Sequence, residues 1–203
     1  MKQPPQFFGY GSLVNLATHD YPNARPAKLT GWRRVWRHAR ARPVAFLSVE
    51  RHDATTLMGV TADVPNADWA ALDLREHEYL RRDVSDQFAR PTAVYEANPE
   101  RTAPPSTGHP ILLSYLDVVT AGFQTLYGNE GPTQFFATTV GWGPVLDDRA
   151  DPIYPRAQPL TAKTRDTVDA ALCALPVTMH PAEGPLVDAL RGSATTLPAD
   201  HDP

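Results

Sequence analysis

Three runs rich in β-branched and aromatic residues follow one another between residues 28 and 64: KLTGWRRVWRHA, VAFLSVE and TLMGVTADV. Pro43 separates the first run from the second, and the charged stretch RHDA separates the second from the third. Runs of this composition with short breaks are typical of antiparallel strands. The alternation in the first run predicts Trp32, Arg34 and Trp36 on one face, with the tryptophans packed and the arginines solvated or snorkelling to solvent.

Helical and strand patterns follow one another in the rest of the chain. A short apolar strand over residues 6–14 ends in a turn, and two further strand patterns lie at residues 81–86 and 92–98. Helical patterns occupy residues 66–80, with Asn66 as cap, and residues 110–128, 131–142 and 164–176. Pro110 suits the first turn of its helix and Gly128 suits the end. The succession predicts an α+β fold around a curved antiparallel or mixed sheet.

The length of 203 residues suits one domain with a sizeable core. We expect that domain over residues 1–164. Residues 165–203 are expected to form a C-terminal helical extension that packs on the domain and ends in a frayed tail. The expected oligomeric state is a monomer or a homodimer.

Charge and cysteine content narrow the class of partner. The formal net charge of −4 and the pI near 5.9 disfavour a nucleic-acid coat, although GWRRVWRHARAR interleaves tryptophan with arginine. Cys173 is the only cysteine, which rules out an intramolecular disulfide and a multi-cysteine zinc site. The stretch MKQPPQFFGYGS lacks the apolar core of a signal peptide or a membrane span. We therefore expect a cytoplasmic protein with a small-molecule partner, without nucleic acid or membrane.

The stretch FFGYGSLVN places Tyr10 between two glycines and directly ahead of Gly11-Ser12. Glycines allow backbone N–H groups to point at a ligand, so this turn is a candidate cradle for an anion or a carbonyl, with an ordinary tight turn as the alternative. It lacks the third glycine of a dinucleotide fingerprint and the Gly-Lys-Ser/Thr ending of a P-loop. Ser12 is also a candidate nucleophile, although the second glycine of a hydrolase elbow is missing. Three histidines are candidate bases for it: His19, His38 and His77.

The stretch LDLREHEYLRRDV carries Glu76 and Glu78 where the predicted helix meets the next strand. Mixed charges of this kind are typical of a solvated helix end. A carboxylate at a junction between helix and strand can instead be held at the mouth of a barrel. His77-Glu78 does not begin an H-E-x-x-H site, because position 81 is arginine, so zinc is not expected.

Several of these segments together resemble the γ-glutamylcyclotransferase-like family in order and spacing. They are FFGYGSLVN, the GW strand, LMGVTADV, LDLREHEYLRRDV and the later SYLDVV, and the resemblance spans roughly residues 7–160. It implies an α+β fold with a small mixed β-barrel, flanking helices and an active-site cavity at the end of the barrel.

The resemblance also implies a set of site residues. The Y-G-S turn of the family holds the γ-glutamyl group, which assigns that role here to Tyr10, Gly11, Ser12 and Leu13. The catalytic glutamate of the family corresponds to Glu76, with Glu78 as a second candidate, and Tyr115 matches a tyrosine that lines the same pocket.

The chemistry that the resemblance implies is the cyclisation of a γ-glutamyl amide to 5-oxoproline with release of an amine. The α-amine of such a substrate lies at five-membered-ring distance from the γ-carbonyl, so positioning alone makes the attack intramolecular. One carboxylate can act as base and then as acid, and no cofactor or metal is needed. Two other functions stay open: a γ-glutamyl or carboxylate-binding module without turnover, and a Ser12-dependent amidohydrolase.

Overall fold

The computed structural model describes residues 3–39, 43–76 and 78–194. His77 and residues 195–203, which make up most of the predicted frayed tail, therefore lie outside the described residues. The strands are β1 (Gln6–Gly9), β2 (Arg25–Ala39), β3 (Ala45–Asp63), β4 (Tyr79–Asp83), β5 (Thr92–Ala97), β6 (Thr102–Ala103), β7 (Ile111–Leu112), β8 (Thr139–Val140), β9 (Val145–Asp147) and β10 (Met179–Pro181). The α-helices are α1 (Trp69–Arg75), α2 (Leu113–Tyr127), α3 (Glu130–Ala137), α4 (Ala162–Cys173) and α5 (Pro185–Ala194).

The main sheet is mixed and curls into a half-barrel. Its strand order is β4-β5-β1-β3-β2-β6, and β8 pairs with β2 beside this path. Strand β1 runs antiparallel to β3 and parallel to β5, which makes it the central strand of the mixed region. A smaller sheet has the order β10-β9-β7. The predicted α+β class with a curved mixed sheet is confirmed.

One long β3 strand replaces the second and third of the three predicted strands. It pairs with β2 on both sides of the charged stretch, from Leu29–Leu57 to Trp36–Leu47 and beyond. The register shifts between Thr30 and Trp32, where Gly31 has a φ of +82°. This bulge accommodates the polar residues without ending the strand, because the ladder resumes on both sides of it.

The helices differ from the sequence prediction mainly at their ends. Asn66 lies in a 3₁₀ turn, Pro65–Ala67, and α1 begins only at Trp69. Helix α2 begins at Leu113 rather than at Pro110, because the two preceding residues form β7 and pair with β9. It ends at Gly128 as predicted, with a φ of +61° that favours glycine.

The main hydrophobic core lies between the sheet and helices α2, α3 and α4. It includes Trp36, Leu116, Phe123, Phe135 and Val168, all fully buried. The C-terminal part of the chain joins the structure through β10 and through Val187 and Leu190 of α5, which pack in a separate apolar cluster. The predicted boundary at residue 164 falls within α4, and the division into domain and extension stays a prediction.

Candidate functional site

The turn that follows β1 is held from two sides. The buried Tyr10 hydroxyl donates a hydrogen bond to the Tyr95 carbonyl of β5 at 2.6 Å. The Tyr10 carbonyl accepts a hydrogen bond from Nε of Arg34 in β2 at 2.8 Å. The turn continues into a 3₁₀ turn, Ser12–Val14, and Leu13 packs against two of the apolar clusters. The backbone of the candidate cradle is therefore fixed by groups from both halves of the sheet.

Helix α2 brings Tyr115 onto this turn. A Cβ atom on Gly11 would lie 2.6 Å from the Tyr115 hydroxyl oxygen, so only glycine permits the approach. Both the backbone and the side chain of Ser12 hydrogen-bond the same phenol. Tyr10, Gly11, Ser12, Leu13 and Tyr115 are thus brought together in one place.

The rest of α2 is bound to the segment that follows the turn. The Asn15 side-chain amide donates a hydrogen bond to the Val118 carbonyl at 2.9 Å. A Cβ atom on Gly122 would lie 2.5 Å from the Asn15 backbone nitrogen, so the helix lies against the backbone at this point. These contacts fix the position of the helix that carries Tyr115.

Two further aromatic rings contact Tyr115. The Trp36 ring of β2 lies at 5.8 Å and the Tyr154 ring at 5.0 Å between centroids, both edge to face. Trp142 packs in turn against Trp36 at 5.7 Å. The hydroxyl end of Tyr115 therefore meets the turn while its ring is enclosed by other aromatic side chains.

A buried carboxylate, Asp148, fixes both Tyr115 and Tyr154. It accepts hydrogen bonds from the Ser114 N–H at 2.8 Å, from the Ser114 hydroxyl at 2.5 Å and from the Ile153 N–H at 2.9 Å. Ser114 immediately precedes Tyr115, and Ile153 immediately precedes Tyr154. Asp148 therefore joins the start of α2 to the loop of residues 148–154.

Glu76 directly follows α1 and is half-buried. Its negative charge is among the causes that raise the pKa of the Tyr10 and Tyr115 phenols. Helix α1 is held against the sheet by Asp73, which accepts hydrogen bonds from the Tyr95 hydroxyl at 2.6 Å and from Arg81 at 2.8 Å. Glu76 is thus the described carboxylate whose charge acts on both phenols of the candidate cradle.

Both phenols stay neutral over the ordinary pH range. Burial is the largest cause that raises the pKa of Tyr10, followed by the charge of Glu76. Burial also raises the pKa of Tyr115 well above its ordinary value, while the hydrogen bonds from Ser12 act in the opposite direction. A neutral phenol has a proton to donate, so Tyr115 can act as a hydrogen-bond donor at this position.

Two of the candidate histidines, His19 and His38, lie in the described residues, and each has partners other than Ser12. His19 Nε2 donates to the Leu13 carbonyl at 2.8 Å, and its Nδ1 accepts the Tyr21 N–H at 3.2 Å. This tautomer leaves no ring nitrogen to accept a proton from a hydroxyl. His38 stacks on His109 with ring centroids 3.7 Å apart.

No group of three or more histidine, cysteine, aspartate and glutamate side chains in the described ranges is arranged to hold a metal ion. Within the same residues, no helix combines the length and the apolar character needed to span a membrane.

Sequence reasoning missed three of these groups. Arg34 was predicted to be solvated, which is wrong, since its side chain is fully buried. Asp148 and Tyr154 drew no prediction of a role, although both lie in the stretch DDRADPIYPRAQ, whose aspartates and prolines indicate a structured turn. The sequence alone does not predict that an aspartate in such a turn is buried, because its burial depends on the position of α2.

Comparison with known proteins found matches among solved structures. No family model matches the sequence, and a search of curated proteins found no match. A structure titled "Gamma-glutamyl cyclotransferase" matches with a TM-score of 0.51 at 13% identity, covering 83% of this chain and 99% of the other. The crystal structure of an uncharacterized human protein matches at 0.51 and 14%, covering 81% and 97%. YkqA from Bacillus subtilis matches at 0.50 and 17%, covering 64% and 52%.

The matches agree with the architecture described above, a curled mixed sheet with α-helices packed against it. The chain has the γ-glutamylcyclotransferase-like fold.

Proposed function

We propose that this protein is a γ-glutamylcyclotransferase-type enzyme that converts a γ-glutamyl amide to 5-oxoproline and a free amine or amino acid. The observation that carries the proposal is the convergence of three elements: the turn after β1, Tyr115 of α2 and the charge of Glu76 beyond α1. The fold supports it, because a structure of this fold bears the name of that activity.

The reaction needs a folded substrate and one proton carrier. The α-amine of the substrate attacks the γ-carbonyl carbon, the new C–N bond closes the five-membered ring, and the bond to the leaving amine breaks. Glu76 accepts the proton that the attacking nitrogen loses and returns it to the leaving nitrogen, so the carboxylate is regenerated. No external nucleophile or oxidant takes part.

The turn would hold the γ-glutamyl group and stabilise the charge that develops on its carbonyl oxygen. The backbone N–H groups of Gly11 and Leu13 and the neutral Tyr115 hydroxyl would be the donors there, since the Ser12 backbone already donates to Tyr115. The enclosing rings of Trp36 and Tyr154 limit water at Tyr115, which strengthens such hydrogen bonds.

The direct test is an assay of the purified protein with glutathione, several γ-glutamyl dipeptides and γ-glutamylamines, with 5-oxoproline measured by mass spectrometry. We expect 5-oxoproline from at least one class of substrate, and a loss of about 10²–10⁴-fold in Glu76→Gln with an unchanged fold. Ligand binding without product would contradict an enzyme and favour a binding module. Free glutamate as product would contradict cyclisation and make Ser12→Ala the next variant to assay.

A further inference from the structure

Arg34 is a buried cation behind the turn that follows β1. Its side chain is fully buried, which is rare for arginine unless a carboxylate accompanies it. None of the described carboxylates forms an ion pair with Arg34. Burial lowers the pKa of the guanidinium to about 9, which leaves it charged at neutral pH.

Neutral groups surround the guanidinium instead. Nε donates to the Tyr10 carbonyl at 2.8 Å, one terminal nitrogen donates to the Thr138 hydroxyl at 2.8 Å, and the other donates to the Met58 carbonyl. The rings of Phe123 and Phe135 lie 4.8 and 5.3 Å from its central carbon. These contacts explain how the fold tolerates the charge, but they do not neutralise it.

The hydrogen bond to Tyr10 acts on the turn through a single peptide group. In a trans peptide the C=O and the following N–H point in opposite directions within one plane. No cis peptide occurs among the described residues, so the Gly11 N–H points away from Arg34. A cation on the carbonyl oxygen also polarises the group and makes the N–H a stronger donor.

We propose that Arg34 is a positioning residue for the site, which aims and polarises the Gly11 N–H toward the γ-carbonyl oxygen of a bound γ-glutamyl group. This inference rests on the proposed function. The γ-carbonyl oxygen gains negative charge as the α-amine attacks. Because the Arg34 cation lies on the far side of the Tyr10–Gly11 peptide, its effect is largest in that transition state. The residue itself does not contact the substrate.

Three variants separate this role from a structural one. Arg34→Met removes the charge and all donors, while Arg34→Lys keeps the charge and a single donor nitrogen. Arg90→Met is the matched control, because Arg90 is also buried but pairs with Asp63 and bonds Gln6 and the Pro4 carbonyl, none of which belongs to the site.

We expect Arg34→Met to lower kcat by about 10–100-fold with a smaller change in KM, since a weakened oxyanion donor acts on the transition state. Arg34→Lys should recover part of that loss. Arg90→Met should lower the melting temperature and leave kcat near the wild-type value. Wild-type kcat in Arg34→Met, or an equal loss of kcat in Arg90→Met, would overturn the proposal.

A second measurement needs no turnover, and it separates this inference from the proposed function. In protein labelled with ¹⁵N-glycine, the Gly11 amide resonance should move in both Arg34 variants and stay in place in Arg90→Met. An unchanged resonance in Arg34→Met would overturn the role of Arg34 even in an active enzyme. An inactive wild-type protein would overturn the cyclotransferase function, and with it the effect of Arg34 on catalysis.

Discussion

The hydroxyl of Tyr115 lies where a side chain on Gly11 would begin. A Cβ atom at position 11 would come within 2.6 Å of that oxygen, and the next atom it would meet belongs to Leu47 at 3.4 Å. Tyr115 is partly buried, and the rings of Trp36 and Tyr154 pack against it, which limits its room to move aside. The turn and α2 can therefore approach this closely only because position 11 has no side chain.

Gly11→Ala should displace Tyr115 from the turn. We expect a loss of about 10²-fold or more in kcat/KM, because a displacement of about 1 Å in a positioned site is enough for such an effect. The assay for 5-oxoproline measures it. Gly192→Ala in α5 is the control, since nothing lies within 4 Å of its added Cβ, and it should be neutral or slightly stabilising. Full activity of Gly11→Ala would show that Tyr115 need not contact the turn.

Tyr115→Phe tests the hydroxyl apart from the ring. The ring contacts are kept, and the hydrogen bonds with Ser12 are lost. We expect kcat/KM to fall by about tenfold, with about 1 kcal/mol lost in the free energy of unfolding. Tyr127→Phe removes a comparable hydroxyl that bonds Ala27 and Gly59 outside the site. If Tyr115→Phe, like Tyr127→Phe, lowered the free energy of unfolding but left kcat/KM unchanged, Tyr115 would have a structural role only.

Glu78→Gln distinguishes the two candidate carboxylates when it is compared with Glu76→Gln. The charge of Glu76 acts on both phenols of the site, so we expect only its variant to lose turnover. Glu78→Gln should keep kcat within about threefold of the wild type, because the charge of Glu78 is not among the causes that shift the pKa of either phenol. The reverse order of activities would reassign the general base to Glu78.

Asp148→Asn should loosen Tyr115 and Tyr154 together. The carboxylate is fully buried and accepts three hydrogen bonds, and an amide nitrogen in place of one oxygen would face donors. We expect a loss of about 1–3 kcal/mol in the free energy of unfolding, measured by urea titration, together with reduced kcat. Asp151→Asn is the control, because Asp151 is largely exposed in its ion pair with Arg191 and should change stability by less than about 1 kcal/mol. Equal effects of the two variants would contradict the role given to Asp148.

Most of the fold follows from local patterns in the sequence. The long strands and α2 could be predicted because alternation, helical spacing and Gly128 act over a few neighbouring residues. The continuity of β3 could not, since the register shift between Thr30 and Trp32 depends on their pairing with Thr56 and Arg51 of the other strand. The start of α2 was misplaced for a similar reason, because β9 takes the two preceding residues into a sheet.

The residues of the candidate site also differ in whether the sequence could predict them. The Tyr10–Leu13 turn and Glu76 lie in contiguous motifs, and such motifs can be compared with those of a family. Arg34 and Asp148 reach their partners across 24 and 34 positions of the chain. A strand arginine in an alternating pattern normally faces solvent, so only the packing of Phe123 and Phe135 shows that this one is inside.

The final prediction concerns alkaline pH. The pKa of four tyrosines is raised in the folded protein, with burial as the largest cause in each case: Tyr10, Tyr95, Tyr115 and Tyr127. In the unfolded chain each would ionise near its ordinary value of about 10. The folded state thus holds protons that the unfolded state has lost, so these residues favour folding below about pH 10 and this contribution falls as the pH rises.

Arg34 changes the free energy of unfolding in the opposite direction above pH 9, because its pKa is lowered to about 9 in the folded protein. It is a single group, whereas four tyrosines act in the other direction. We expect the free energy of unfolding to decrease above about pH 10. Absorbance at 295 nm should show fewer than seven ionised tyrosines in the folded protein at about pH 11, with the remainder appearing only in urea. In Tyr115→Phe, the increase in absorbance at 295 nm on adding urea should be smaller by the contribution of one tyrosine. Ionisation of all seven tyrosines without unfolding would contradict the neutral state assigned to Tyr10 and Tyr115.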